Sequence, residues 1–562
     1  METEKLYTKL PIGIDNFEKV IKDEYYYADK TLMIKDLINK GGEVNVFTRP
    51  RRFGKSLGIS MLQHFFDNLK KDSANLFDGL NILNAGDKYL AHQNRYPVIK
   101  MSLKEASKIE FEQSMTMLIN EISNEFKRHD YILASSCLRE DSKMLYQRLS
   151  SKEANITEYS GSLRFLSECL EKYHNEKVII LIDEYDVPLE KAYFNGYYDE
   201  MVDFIRTFFS GALKTNDSLK FAVITGCLRV SKESIFTGVN NLNIVSILSD
   251  GYGEYFGFTE PEVEEMLKHY ELEHKDDEMR EWYNGYLFGE TVVYNPWSSI
   301  KYLFDIIHGK ITSPGKHWSH TSSNSIVRQL IAIADDETKD EIERLIQGET
   351  ITKPINEDIV YADIMDNMDN LWNFLFFTGY LKKVSREQRG VHDYFELTIP
   401  NNEILYIYER HIREWFNKRI KEVDMTNLYT AVLSQDVTTF EDEIIEMLGE
   451  SISYMDSQEN FYHGFLTGVL RGIKGYVAKS NRESGDGRGD IFLRPRSIRK
   501  PAIVIEIKVA KNAKDLEKEC SKALKQIESK KYDEEFAHEG YLHTIRYGVA
   551  FYRKMCMIKI QE

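Results

Sequence analysis

Val44-Asn45-Val46-Phe47-Thr48-Arg49-Pro50-Arg51-Arg52-Phe53-Gly54-Lys55-Ser56 runs directly into an apolar pattern of helical spacing, Leu57, Ile59, Met61, Leu62 and Phe65. The stretch therefore reads as a strand, a loop and a helix start. Backbone N–H groups and the helix dipole at such a junction favour a phosphate group. Gly54, Lys55 and Ser56 then have defined roles: Lys55 reaches the β and γ oxygens, and Ser56 ligates Mg²⁺. Against the pattern G-x-x-x-x-G-K-[ST], Arg49 replaces the first glycine and Pro50 removes an amide donor. Such a loop is expected to use Arg51 and Arg52 on phosphate.

A second signature lies downstream. Val178-Ile179-Ile180-Leu181-Ile182 is a continuous apolar run, as expected of a strand buried on both faces, and it ends in Asp183-Glu184. Asp183 is placed to hold Mg²⁺ and Glu184 to polarise an attacking water, the Walker B roles in phosphoryl transfer. Pro97 to Ser102 and Phe221 to Gly226 supply two more strands, which alternate with helical stretches in an α/β sandwich with a parallel sheet. Thr225, near the end of the last strand, is a candidate sensor of the γ-phosphate, and Arg229 is a candidate for the same region. Their ordinary alternatives are backbone satisfaction for Thr225 and a surface ion pair for Arg229. Cys227 reads as small core filler.

The third constellation is at the other end of the chain. Gly489-Asp490-Ile491-Phe492-Leu493 and Ala502-Ile503-Val504-Ile505-Glu506-Ile507-Lys508 flank a break that contains Pro495, Pro501 and several arginines, a hairpin signal. A turn centred near Ile498 sets Asp490 opposite Glu506, and strand alternation sends Glu506 and Lys508 to one face. Two adjacent carboxylates bind a hard cation such as Mg²⁺, and an ammonium beside them orients or activates water. The plain alternative is a solvated Glu-x-Lys ion pair. Glu459 opens a helical segment with Tyr462 and His463 on its face. Leu516, Cys520, Ala523, Leu524 and Ile527 then recur with helical period and carry Gln526 near the buried edge.

Composition bounds the rest. The chain has 562 residues, 42% hydrophobic and 12% aromatic, enough for several folded cores. A formal charge of −17 argues against nucleic-acid binding by bulk electrostatics, so any such contact is local. Arg494, Arg496, Arg499, Lys500 and the lysines from Lys511 to Lys531 could form that patch, or a solvated helix face interleaved with Glu517, Glu519 and Glu528. Five scattered cysteines without C-x-x-C spacing argue against a disulfide framework or zinc site. The charged beginning and the lack of a long apolar run lead us to expect a cytoplasmic protein with no membrane partner. In the middle, Leu371 to Leu381 reads as a buried helix ending at Gly379, with the Trp372, Phe374, Phe376, Phe377 stripe as core. A strand from Tyr394 to Pro400 follows.

Several stretches resemble an AAA-ATPase-like family: Leu10-Pro11-Ile12-Gly13-Ile14-Asp15-Asn16-Phe17, Tyr26-Tyr27-Ala28-Asp29-Lys30-Thr31, the Arg49 to Ser56 loop, Leu181-Ile182-Asp183-Glu184-Tyr185-Asp186, Ser234-Ile235-Phe236-Thr237-Gly238, Tyr255-Phe256-Gly257-Phe258-Thr259 and Tyr294-Asn295-Pro296-Trp297-Ser298. The loop without its first glycine is itself that family's pattern. The tail resembles the PD-(D/E)xK nuclease superfamily, with Gly489 where a proline is usual. The resemblance implies an α/β protein with a P-loop NTPase domain and parallel sheet (residues 1–265), a helical lid and winged-helix-like region (266–425), and an α/β restriction-endonuclease-like domain (426–562). It implies ATP and Mg²⁺, or Mn²⁺, as cofactors. Asp490 and Glu506 would hold metal, Lys508 would be catalytic, Glu459 would assist and Gln526 would support the site. The implied activity is ATP hydrolysis joined to nuclease action on nucleic acid, DNA more than RNA. The alternative is a nucleotide-switched nucleic-acid-binding or signalling scaffold with an inactive nuclease domain. Oligomeric state stays open, a homo-oligomer being one arrangement, as does any action of Arg51 or Arg52 on a neighbouring subunit.

Overall fold

The apolar, β-prone runs of the N-terminal half come together as one parallel sheet, β1 (Val44–Thr48), β2 (Val98–Ser102), β3 (Val178–Asp183), β4 (Leu219–Gly226) and β5 (Leu242–Val245), ordered β2-β3-β4-β1-β5. This computed structural model describes residues 7–228, 235–236, 241–309, 313–320, 327, 335–357, 368–390, 392–411, 424–449, 459–484, 487–532 and 534–561. Arg229 and most of the 234–238 stretch lie outside the described residues. β1 and β3 are buried along their whole length, which is why β3 is an unbroken Val-Ile-Ile-Leu-Ile run. Because β4 sits between β1 and β3, the loop leaving β1, the acidic end of β3 and the end of β4 meet beyond the carboxyl ends of the strands. Open α/β sheets bind ligands there.

The chain divides into two compact units, Met1–Ser322 with Thr350–Tyr406, and Ser323–Glu349 with Ile407–Glu562. The first unit adds two small antiparallel sheets to the parallel one. The first consists of β6 (Phe258–Thr259), β7 (Tyr286–Phe288) and β8 (Thr291–Tyr294), ordered β6-β8-β7. The second consists of β9 (Ile351–Pro354), β10 (Lys382–Arg389) and β11 (His392–Thr398), ordered β10-β11-β9, with the Met368–Phe377 helix before its hairpin. A helix followed by an antiparallel hairpin is the arrangement expected of a winged-helix-like module. Trp372, Phe374, Phe376 and Phe377 are all buried in it. Each fully buried side chain of this size contributes on the order of 2 kcal/mol or more.

In the second unit the strands are β12 (Tyr476–Ser484), β13 (Gly487–Pro495), β14 (Ala502–Val509), β15 (Thr544–Tyr552) and β16 (Met555–Gln561), in sequence order across a mixed sheet. β13 and β14 pair antiparallel as Ile491 with Ile505, Phe492 with Val504 and Leu493 with Ile503, the register of a turn about Ile498. β14 and β15 are parallel, so a crossover is obligatory, and the Leu516–Lys530 helix provides it. Side chains alternate between the two faces. Ile491, Leu493, Ile503, Ile505 and Ile507 pack in one cluster with Tyr462 and Leu466 of the Glu459–Leu470 helix. Phe492, Ala502 and Val504 pack in another with Ile527, Tyr532 and Phe536.

Candidate functional site

Arg49 occupies the position of the missing glycine, and its side chain turns inward. The guanidinium is completely buried. It donates from Nη1 to the Thr48 and Val245 carbonyls at 2.9 Å each and lies over the Phe256 and Phe288 rings, 5.3 and 4.9 Å from their centroids. Burial pulls its pKa down to about 9, and Nε and Nη2 have no partner among the described residues. Arg49 thus ties the loop to β5 and faces away from the loop's open side.

Gly54 takes the left-handed conformation, φ 82°, where the loop enters the Lys55–Phe66 helix, a geometry that suits a residue without Cβ. Lys55 Nζ reaches back over the loop and donates to the Arg49 and Pro50 carbonyls at 2.9 and 2.8 Å. Ser56 Oγ donates to Asp183 Oδ2 at 2.5 Å, and Thr225 Oγ1 donates to the other oxygen of the same carboxylate. Residues from β3, β4 and the helix start therefore converge on Asp183. Glu184 follows in a left-handed backbone, φ 54°. Burial first, then the Asp183 charge, raises its carboxyl above the ordinary range, which favours its taking up a proton. Arg51 pairs with Glu190, while Arg52 lies 4.6 Å from the Trp297 ring centroid and donates to the His317 carbonyl at 3.3 Å.

A cavity of about 320 Å³ opens beside this loop. Gly54, Lys55, Ser56 and Glu184 line it together with Ile14, Tyr27, Met61, Trp297 and Ile300. Its walls come from residues near 11–15, 26–33, 255–258 and 296–300, stretches distant in sequence that resemblance had singled out without assigning them a task. An apolar slot that ends in a lysine, a serine and backbone amides suits a flat base joined to a polyphosphate. The Ser56 hydroxyl and the Asp183 carboxylate are oxygen donors fit for Mg²⁺.

In the second unit, parity along the strands decides which residues meet. Asp490, Glu506 and Lys508 share the face of Phe492 and Val504, the one covered by the Leu516–Lys530 helix. Asp490 Oδ2 accepts the Ile507 N–H at 2.8 Å, and Lys508 Nζ donates to Glu506 Oε1 at 2.9 Å. Glu506 is 1% exposed, and its Oε2 has no partner among the described residues. Burial, followed by the Asp490 charge, pushes Glu506 up to about 7. An orphaned carboxylate oxygen beside a second carboxylate fits a divalent cation, since Mg²⁺ commonly takes one or two protein carboxylates and completes its shell with water and phosphate. No group of three or more His, Cys, Asp or Glu is arranged for a metal among the described residues, so the carboxylate pair is what this site offers.

The remaining expected residues surround that pair. His463 Nε2 hydrogen-bonds to the Asp490 carbonyl at 2.9 Å, which ties the Glu459–Leu470 helix to the middle of β13. Glu459 is the first residue of that helix, but its side chain lies outside the described residues. Gln526 Nε2 donates to the Tyr532 hydroxyl at 3.2 Å. Tyr532, held up by burial and by the charges of Glu506 and Asp490, was not among the expected residues. Its one sequence signal is its position just past the helix that carries Gln526. Several cations of the basic stretch are already paired: Arg494 with Glu539, Lys522 with Glu519 and Lys531 with Glu534.

Among the described residues no helix is long and apolar enough to cross a membrane. Residues 11–236 match the family described as predicted AAA-ATPase, and residues 457–561 match the PD-(D/E)XK nuclease superfamily. A protein of Azotobacter chroococcum mcd 1, named "Uncharacterized protein in vnfD 5'region", is 31% identical over 404 residues, which covers 70% of this chain and 68% of the relative. The parallel sheet with its phosphate-loop junction and the mixed sheet with its carboxylate pair agree with both matches, and the chain belongs to the AAA-ATPase-like family, with a PD-(D/E)XK nuclease superfamily domain at residues 457–561.

Proposed function

We propose that this protein is a nucleotide-controlled, metal-dependent nuclease that cleaves DNA phosphodiesters. The observation that carries the reading is the convergence of Asp490, Glu506 and Lys508 on one face of β13 and β14, with an unpartnered Glu506 oxygen at the centre. Asp490 and Glu506 would hold a divalent cation, which would offset negative charge on the scissile phosphate and make a bound water more acidic. Lys508, adjacent on the same face, holds the attacking water or offsets charge as it develops on phosphate oxygen. Asp490 is fixed for its part by the Ile507 N–H, and Gln526 and Tyr532 brace one another beside it.

At the other site ATP with Mg²⁺ is the ligand we assign. Lys55 would exchange its two carbonyl partners for phosphate oxygens, Ser56 and Asp183 would hold Mg²⁺, and Glu184 would accept a proton from the attacking water. Thr225, bonded to Asp183, orients that carboxylate. With a net charge of −17, contact with nucleic acid rests on local cations such as Arg496, Arg499 and Lys500, all exposed on the hairpin turn.

One observation favours a second reading. The Lys508–Glu506 ion pair satisfies one oxygen of the proposed metal site from within, as it would in a scaffold that binds nucleic acid without cutting. Cleavage assays that cross nucleotide (none, ATP, a non-hydrolysable analogue) with metal, on wild type, Lys55→Ala and Asp490→Ala, separate the two. The nuclease reading expects metal-dependent nicking that Asp490→Ala removes and Lys55→Ala leaves unregulated. Nucleic-acid binding with no nicking under Mg²⁺ or Mn²⁺ would establish the scaffold.

A further inference from the structure

We propose that Arg52 passes nucleotide occupancy of the phosphate loop to the helix and hairpin of residues 368–406, an inference that rests on the nucleotide reading of that loop. Two contacts tie the loop to this module, and neither belongs to phosphate chemistry. Pro50 packs on Gly379, the left-handed residue that follows the Met368–Phe377 helix, φ 88°. A Cβ at Gly379 would lie 3.1 Å from Pro50 Cγ and 3.2 Å from the Trp318 ring, so loop and turn are in close contact.

The second contact runs through Arg52. Its guanidinium stacks on Trp297 at 4.6 Å and donates to the His317 carbonyl at 3.3 Å. The next residue, Trp318, is buried, stacks on Tyr380 at 5.6 Å and 17°, and donates its backbone N–H to Glu403 Oε1 at 2.8 Å. The chain of contacts therefore leads from the loop to both ends of the β10–β11 hairpin: Tyr380 precedes β10, and Glu403 follows β11. The Glu403 charge also acts directly on Arg52.

Arg52 is also placed to move. Its backbone is left-handed, φ 70°, a strained conformation in a residue with a side chain. Arg52 and Trp297 both line the cavity beside the loop. A phosphate competes for the guanidinium, and an aromatic base competes for the Trp297 face. Either competition draws Arg52 off the His317 carbonyl and loosens Trp318 from its partners in the module. Differential affinity for the two positions of Arg52 is then what shifts the module.

Amide hydrogen exchange of the full chain, with and without a non-hydrolysable ATP analogue, tests this in wild type, Arg52→Ala and Arg52→Lys. Binding is measured in the same samples, and each protein is saturated with analogue. Wild type is expected to change exchange at least about fivefold in residues 317–320 and 379–406. Saturated Arg52→Ala is expected to show no such change, and Arg52→Lys, which keeps the charge without the planar face, a reduced one. Exchange in β1, β3 and β4 of the same unit, in the absence of nucleotide, checks that the variants are folded around Arg52. An unaltered response in saturated Arg52→Ala, or bound nucleotide with no response in wild type, overturns the coupling. Wild type that binds no nucleotide overturns the ligand assigned to the loop, and the coupling with it, so the two failures are told apart by the binding data.

Discussion

Glu403→Gln replaces a buried acid with a neutral group of nearly the same shape, and the structure sets how stability should respond to pH. Glu403 is fully buried, accepts the Trp318 N–H, and is pushed by burial from the usual 4.5 up to about 7. A carboxyl whose folded pKa is raised binds its proton more tightly in the folded chain than in the unfolded one. Stability is therefore lost as pH rises from about 4.5 to about 7, and stays lost above it. Moving a carboxyl from 4.5 to about 7 corresponds to about 3 kcal/mol between the protonation states. Glutamine keeps an acceptor for Trp318 and has no proton to lose. Denaturant unfolding of wild type and variant from pH 5 to pH 8.5, taken as a difference, cancels the titrations they share. The stability of the variant relative to wild type should rise by roughly 2–3 kcal/mol between pH 5 and pH 7.5 and then level off. A difference that does not vary with pH would refute the argument.

Other substitutions test the remaining contacts. Gly379→Ala combines a left-handed backbone with a Cβ pressed on Pro50, and should lower stability by about 2–4 kcal/mol in thermal unfolding. Arg49→Ala empties the space between Phe256 and Phe288 and removes two carbonyl partners, so a loss of about 2–4 kcal/mol is expected from the same measurement. Lys55→Ala should weaken binding of a fluorescent ATP analogue by more than about tenfold, since a charge-assisted contact to phosphate is removed. Lys508→Met leaves both oxygens of a buried carboxylate without an amine, and metal-dependent cleavage should fall by roughly 10²-fold or more in a plasmid nicking assay.

Local patterns carried the elements with strong periodicity or symmetric turns. Four of the five strands of the parallel sheet were legible as apolar runs, and the β13–β14 register followed from counting outward from Ile498. β5 is not legible in the sequence, because Leu242-Asn243-Ile244-Val245 is short and gains its meaning only from pairing with β1 some two hundred residues earlier. β10 is illegible in the sequence for the opposite reason. Lys382 to Arg389 is polar and mostly exposed, without the alternation that marks a strand with one face buried. Sequence placed Arg49 in the loop but could not show that its guanidinium turns toward Phe256 and Phe288, since both rings come from later segments. The cavity wall at Trp297 was hidden likewise. Its neighbours Gly13 and Arg52 are remote in the chain, so a motif match could flag the stretch without revealing what it lines.

Nicking of supercoiled plasmid DNA by wild type and Glu506→Gln decides whether Asp490 and Glu506 form the metal-dependent cleavage site proposed above. Wild type should nick with Mg²⁺ or Mn²⁺ and not with a chelator, and the variant should lose about 10²-fold or more of that activity while its fold and ATP binding are retained. Equal nicking by the two proteins, or DNA bound and left intact by wild type in every metal, would rule that site out.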